Sequence, residues 1–446
     1  MTVGRLLLEV THRLRGSGAL QQFEAIRRAP FVAPEEAEER QLGTLRALLA
    51  HAEAHVPWYR AGFARAGVAA RDLRTLGDLA AFPVLTKADL REHANQMVDE
   101  RLDRSRLLLH HSGGSTGIPV TFHRDRHDLE ASDAGTWRNL SQAGWRPGDM
   151  IAHFWGWNER LNRMPRWEFE ARQWLRRSYQ FDPFQAGEEA FARWVRTWNR
   201  IRPAVALGYA STMARFADWV LRTGMKIRPV LGSFTTAEVL LPPQRSAIET
   251  AFDGKVFDLY GSSEVQNIAA ECPAGRMHVN ADYAVVETEA PSGVSGPLLV
   301  TSLQARAMPF IRYRNEDVGR LLPGHCDCGN GFPLMALEIA RLSDHFVLPG
   351  GRVVHGEYFT HLMYGTRGIE TFQFHQTAPD RVVLRLVGVP GAATIAEVAR
   401  IRAEVEKLAP GVLQVEVEQV EAIPLSTAGK HRFTRSDVAG APEGGH

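Results

Sequence analysis

Between Glu35 and Ala54 the apolar residues Leu42, Leu45, Leu48 and Leu49 recur at helical spacing, which predicts a helix with one buried face. The rest of residues 1–100 reads as helical too. Leu6-Leu7-Leu8 is interrupted by Glu9, then by His12, Arg13 and Arg15, which predicts a short amphipathic helix rather than a signal peptide. From about Leu107 to Leu342 the pattern changes, and short apolar runs alternate with helix-like segments. Val205-Ala206-Leu207 precedes a helix over Met213–Leu221, and Val230-Leu231 precedes one over Arg245–Phe252. Lys255–Leu259 reads as a buried strand. Such alternation predicts an α/β layered fold.

A break falls at Ala340-Arg341-Leu342-Ser343-Asp344. Beyond it the pattern is strand (Val382 to Val387), helix (Ile395 to Leu408) and strand (Val412 to Val420), which suits a small α+β unit. The expected division is a large domain over 1–342, a small one over 343–438, and a disordered tail over 439–446 rich in Gly, Ala and Pro.

Composition narrows the function classes. The chain has 446 residues, room for a sizeable core and at least two domains. Its 52 basic residues nearly balance its 51 acidic ones, so neither nucleic acid nor an anionic membrane is expected as a partner. No run approaches the roughly 20 apolar residues of a membrane span. Three cysteines imply no disulfide framework. The chain reads as cytoplasmic.

The chemistry starts at Ser112-Gly113-Gly114-Ser115-Thr116-Gly117, after the apolar run Leu107–Leu109. A strand opening into such a loop presents backbone N–H groups and hydroxyls to phosphate oxygens. It is not a P-loop, because Ile118 stands where a lysine would follow Gly117. An ordinary flexible turn is the alternative. Three further motifs follow in order: Tyr260-Gly261-Ser262-Ser263-Glu264, then Arg312-Tyr313-Arg314-Asn315-Glu316-Asp317-Val318-Gly319, then Ser426-Thr427-Ala428-Gly429-Lys430.

In this order and at these separations, the four motifs resemble the adenylate-forming superfamily. Local signatures resemble its phenylacetate-CoA ligase-like branch, which includes capsule-biosynthesis proteins: Val56-Pro57-Trp58-Tyr59, Phe82–Lys87, Gly208-Tyr209-Ala210-Ser211, Glu271-Cys272-Pro273 and His278–Tyr283. The resemblance covers about Leu42 to Val438. It implies an adenylation domain followed by a small mobile α+β domain. The activity implied is ATP-dependent conversion of a carboxylic acid, aromatic by preference, to acyl-AMP with pyrophosphate release. Acyl transfer to coenzyme A follows. An amine, a hydroxyl or a carrier-protein thiol are alternative acceptors, nucleotidyl transfer is another outcome, and a non-catalytic nucleotide-binding relative is a third reading. Dimers fit this branch, but no stretch of this chain demonstrates an interface.

Residue roles follow from chemistry and resemblance together. Ser112 to Gly117 would hold the phosphates. Glu264 suits a Mg²⁺ ligand, since Mg²⁺ takes one or two carboxylates with phosphate oxygens and water; a helix cap or surface carboxylate is the plain alternative. Tyr260 would lie against adenine, with Gly261, Ser262 and Ser263 beside it. Asp317 can accept from both ribose hydroxyls, or it caps a turn. The resemblance adds Ala237, Glu238 and Arg341 to the nucleotide site and puts the hinge at Ser343 and Asp344. Lys430 would bridge carboxylate and α-phosphate; a solvated surface lysine is the alternative. Trp155, Gly208, Tyr209 and Ala210 would border the acid, or belong to ordinary core. Cys272, His278, Cys326 and Cys328 could complete a structural zinc site, with His325 as the competing imidazole and buried thiols as the alternative.

Overall fold

A computed structural model gives the architecture. It describes residues 3–111, 120–155, 164–238, 240–291, 293–339, 345–351, 353–363, 366, 369, 371–388, 392–424 and 433–438. The N-terminal region is helical as its pattern predicts. The helix Pro34–His55 starts with proline in its first turn and Glu35 and Glu36 behind it, which suits the exposed N–H groups and positive dipole end there. Leu45, Leu48, Leu49 and Ala52 are fully buried, and Leu42 packs partly against the same core. The helix Lys87–His93 has a capping box: Thr86 Oγ1 accepts from Asp89 N–H at 3.2 Å, and Asp89 Oδ2 accepts from Thr86 N–H at 2.9 Å.

A hairpin of β1 (Leu108–His111) and β2 (Thr121–Arg124) stands apart. Leu108 and Leu109 are exposed, because this two-stranded ribbon buries mainly its Phe122 side. The main sheet opens with β3 (Ile151–Phe154), β4 (Ser178–Phe181), β5 (Val205–Tyr209), β6 (Gly232–Thr236) and β7 (Lys255–Tyr260). These five are parallel and alternate with helices. The expected strand at Val230-Leu231 begins two residues later, at Gly232. Val230 N–H and Leu231 N–H instead bond to Phe252 O and Ala204 O in the approach to the sheet.

The sheet continues with β8 (Ala269–Glu271), β9 (Met277–Val279), β10 (Ala284–Thr288), β11 (Gly296–Ser302), β12 (Tyr313–Leu322) and β13 (Leu334–Ile339), all antiparallel to their neighbours. The strand order is β10-β11-β12-β13-β9-β8-β7-β6-β5-β3-β4. The antiparallel half shares its core with the N-terminal helices, and the two faces of the parallel half carry separate apolar clusters.

After a short hairpin, β14 (His345–Val347) with β15 (Val353–His355), the chain forms a second four-stranded sheet. Its strands are β16 (Thr371–Ala378), β17 (Arg381–Val387), β18 (Gln414–Gln419) and β19 (Thr434–Ser436), in the order β18-β17-β16-β19. The helix Ala392–Glu406 covers it, and its core draws only on residues between Phe346 and Phe433. No helix among the described residues is long and apolar enough to cross a membrane.

Candidate active site at the carboxyl ends of the parallel strands

Four neighbouring strands bring their carboxyl ends to one edge. Tyr209 ends β5, Tyr260 ends β7, Trp155 follows β3 and Ala237 follows β6. The chain passes from β3 outward to β4 and then back across β3 to β5, so the order reverses between β3 and β5. In open α/β sheets the crevice at such a switch point is the ligand site. Phe154 pairs with Gly208, which puts Trp155 beside Tyr209. Their rings stack with centroids 4.6 Å apart at 23°. Gly208 has φ +155, and a Cβ there would fall 2.2 Å from Phe154 O, so only glycine lets β3 and β5 approach this closely.

Ala210 starts the helix Ala210–Thr223. Glu238 reaches its first turn: Oε2 accepts from Ser211 N–H at 2.7 Å and Oε1 accepts from Ser211 Oγ at 2.8 Å. Those bonds hold the edge of the aromatic pair against the end of β6. Between them Ala237 adopts φ +67, a left-handed conformation costly for a residue with a Cβ and concentrated at functional sites.

One strand further, Tyr260 meets β12. Its hydroxyl donates to Asp317 Oδ2 at 2.8 Å, while Asn315 Nδ2 donates to the Tyr260 oxygen at 2.7 Å and to Asp317 Oδ2 at 2.9 Å. Asp317 therefore sits inside a strand and caps no turn. Glu264 is buried too. Its Oε1 accepts from the Tyr313 hydroxyl at 3.0 Å, and its Oε2 is buried with no partner among the described residues. A buried carboxylate oxygen without a donor is costly, and a cation relieves that cost. The donor set fits Mg²⁺.

Ser262 is used locally: its N–H donates to Val265 O at 2.8 Å and its Oγ accepts from Val265 N–H at 3.1 Å. This turn carries Gly261 and aims Glu264 inward, with Ser263 exposed. Ser112, Gly113, Gly114, Ser115, Thr116, Gly117, Arg341, Ser343, Asp344 and Lys430 lie outside the described residues.

Cys272 follows β8, His278 lies on β9, and Cys326 and Cys328 sit in the connection from β12 to β13. Their ligand atoms all lie within 4.8 Å of one another. Cys272 Sγ and Cys326 Sγ are 3.8 Å apart, and Cys328 Sγ and His278 Nε2 are 3.5 Å apart. A tetrahedron with Zn–S of about 2.3 Å and Zn–N of about 2.0–2.1 Å has edges of about 3.8 and 3.6 Å. His278 Nδ1 lies 2.9 Å from Phe332 O, the bond that leaves Nε2 as the metal-facing nitrogen. Burial and the adjacent thiols push Cys328 up to about 12, while hydrogen bonds from Cys328 and Cys272 outweigh burial at Cys326 and lower it. The four residues fit zinc. His325 is exposed and outside the cluster.

Four contributors received no role of their own in the sequence reading. Tyr313 and Asn315 lie four and two residues before Asp317, and the period of two puts all three on one strand face; that signal was available. Asp258 and Glu271 link the nucleotide strands to the cysteine loop: Asp258 Oδ1 accepts from Thr235 Oγ1 at 2.8 Å, and Glu271 Oε2 accepts from Asp258 N–H at 2.9 Å. Nothing local in the sequence marks that pairing.

No protein-family model matches the chain. A phenylacetate-coenzyme A ligase of Pseudomonas putida is 30% identical over 302 residues, covering 64% of this chain and 67% of the relative. One from Escherichia coli K12 is 30% identical over 305 residues, covering 65% and 68%. A crystal structure of 2-hydroxyisobutyryl-CoA ligase, in complex with 2-HIB-AMP and CoA, shares the fold with a TM-score of 0.61 at 22% identity, covering 92% of this chain and 91% of its own. The chain belongs to the phenylacetate-coenzyme A ligase family, within the adenylate-forming superfamily.

Proposed function

We propose that the chain is an ATP-dependent acid–coenzyme A ligase acting on an aromatic carboxylic acid. The acid attacks the α-phosphorus of ATP, the bond to pyrophosphate breaks, and acyl-AMP forms. The coenzyme A thiol then displaces AMP. The observation that carries this reading is the buried Glu264 Oε2, without a donor among the described residues, at the edge where Tyr260, Asn315 and Asp317 converge.

That edge supports each requirement of the first step. Asp317 and Tyr260 would bind the ribose and base side of the nucleotide. Glu264 would hold Mg²⁺, which when bound neutralises charge on the phosphates. The stacked pair Trp155 and Tyr209 offers an aromatic wall for a flat acid. The residues from Ser112 to Gly117 would contact the phosphates, and Lys430 would bridge the two reacting anions. We read residues 1–342 as the adenylation domain and 343–438 as a small domain that turns about Ser343 and Asp344 between the half-reactions. The cluster Cys272, His278, Cys326 and Cys328 would hold a structural zinc, since four protein ligands leave no open position.

The variant Lys430→Ala tests this assignment. It should suppress acyl-AMP formation by about a hundredfold or more while ATP binding is largely kept. An unchanged rate of acyl-AMP formation would remove Lys430 from the mechanism.

A further inference from the structure

Two helices on this molecule wear their polarity the wrong way round. In the helix Arg166–Arg176, Trp167, Ala171, Trp174 and Leu175 recur at the spacing of one helix face. That face points outward: Trp167 is 74% exposed and Trp174 is 49% exposed. On the inward side Gln173 is buried, Phe169 meets the Tyr179 ring edge-on at 5.9 Å, and Glu170 accepts from Tyr179 Oη at 3.0 Å. Packed against it lies the helix Val3–Leu14, the amphipathic segment legible in the sequence. It buries Gly4 and Leu8 and turns Val3, Leu6, Val10 and Leu14 outward, with Val3 72% and Leu14 84% exposed. Neither the fold nor the catalytic edge uses this double apolar face. A contiguous exposed apolar face of this kind marks an interaction surface.

The charge around it selects the partner. Arg13 lies in the last turn of the first helix and Arg15 just beyond it, and Arg176 and Arg177 close the second. None of the four forms an ion pair with a described carboxylate. The Arg176 guanidinium is held below its usual range by burial and by the neighbouring Arg15 and Arg172, with the Asp133 carboxylate acting against them, so three arginines meet one carboxylate at that end. The Arg177 guanidinium lies 5.9 Å from the Trp174 ring. A layer of anionic headgroups above acyl chains complements both the charge and the apolar face, and tryptophan is favoured at that boundary.

We propose that the paired faces of Val3–Leu14 and Arg166–Arg176 seat the protein peripherally on an anionic lipid surface. Trp167, Trp174 and Leu14 enter the headgroup boundary, and Arg13, Arg15 and Arg176 meet lipid phosphates. This is attachment in the plane of the interface, which needs no membrane-spanning helix and no strongly basic composition.

The test is co-sedimentation of the full chain with vesicles of phosphatidylcholine and phosphatidylglycerol in equal parts, against vesicles of phosphatidylcholine alone. The proposal predicts preferential binding to the anionic vesicles. The exposed double variant Trp167→Ser/Trp174→Ser should weaken binding by roughly tenfold, and Arg13→Gln/Arg15→Gln should abolish the preference. Far-ultraviolet circular dichroism of the variants should be unchanged. No binding to either vesicle, or equal binding with and without the tryptophans, would overturn the proposal. So would a stable dimer in solution that the tryptophan variant dissociates, since the face would then be covered by a second copy.

Discussion

The Tyr313 hydroxyl donates to Glu264 Oε1 at 3.0 Å and leaves Glu264 Oε2 buried with no partner among the described residues. The tyrosine holds one carboxylate oxygen, and under the proposed function the second would hold Mg²⁺. Glu264→Gln keeps the Tyr313 bond and removes the charge. It should lower acid-dependent pyrophosphate release by about a hundredfold and raise the Mg²⁺ concentration for half-maximal activity. A variant with the parent's Mg²⁺ dependence would show that Glu264 holds no cation.

The contact between Tyr260 and Asp317 predicts graded effects on nucleotide affinity. Asp317→Ala should raise the KM for ATP by about 10–100-fold, since a charged acceptor is lost. Tyr260→Phe keeps the ring and removes one hydrogen bond, so a rise of about three- to tenfold is expected. Steady-state kinetics at saturating acid separate the two. An equal, small effect from both would mean that Asp317 serves only to hold Tyr260.

The cysteine cluster should carry one zinc per chain when the protein is purified without chelator. Cys326→Ser and Cys328→Ser should each lose the metal and lower the thermal midpoint, because binding free energy at such a site is folding free energy. Elemental analysis with a melting curve checks both. Zinc-free protein with an unchanged midpoint would return the thiols to ordinary packing.

Asp258 gives a pH signature. Burial, and then the nearby Glu271 carboxylate, outweigh the Thr235 hydroxyl and push it up to about 7. A carboxyl raised in the folded state favours folding less as pH climbs from its unfolded value, near 4, to about 7, because the unfolded chain releases that proton first. Asp258→Asn keeps an acceptor for Thr235 and cannot ionise. It should be stabilised over the parent at pH 8 by urea unfolding, with little difference at pH 4. Equal stability changes at both pH values would contradict the assignment.

What the chain disclosed in advance follows from which forces are local. The leucines of Pro34–His55 act over a few turns, so spacing reveals them. Tyr209, Ala237 and Tyr260 could be nominated through the resemblance of their motifs to those of the family. Their convergence was not legible, since it depends on the order β7-β6-β5-β3. Leu108 and Leu109 do lie in a strand, as their apolar run predicts, but such a run does not encode whether a second sheet covers it. The outward faces at Trp167 and Val3 are of the same kind, because periodicity gives a face and only packing says which way it turns.

The central claim is most directly tested by acid-dependent pyrophosphate release with Mg-ATP, over a panel of aryl and short aliphatic acids, with and without coenzyme A. The account predicts release stimulated by an aromatic acid, with further stimulation by coenzyme A and formation of the matching thioester. ATP binding without release for any acid, with or without coenzyme A, would contradict it.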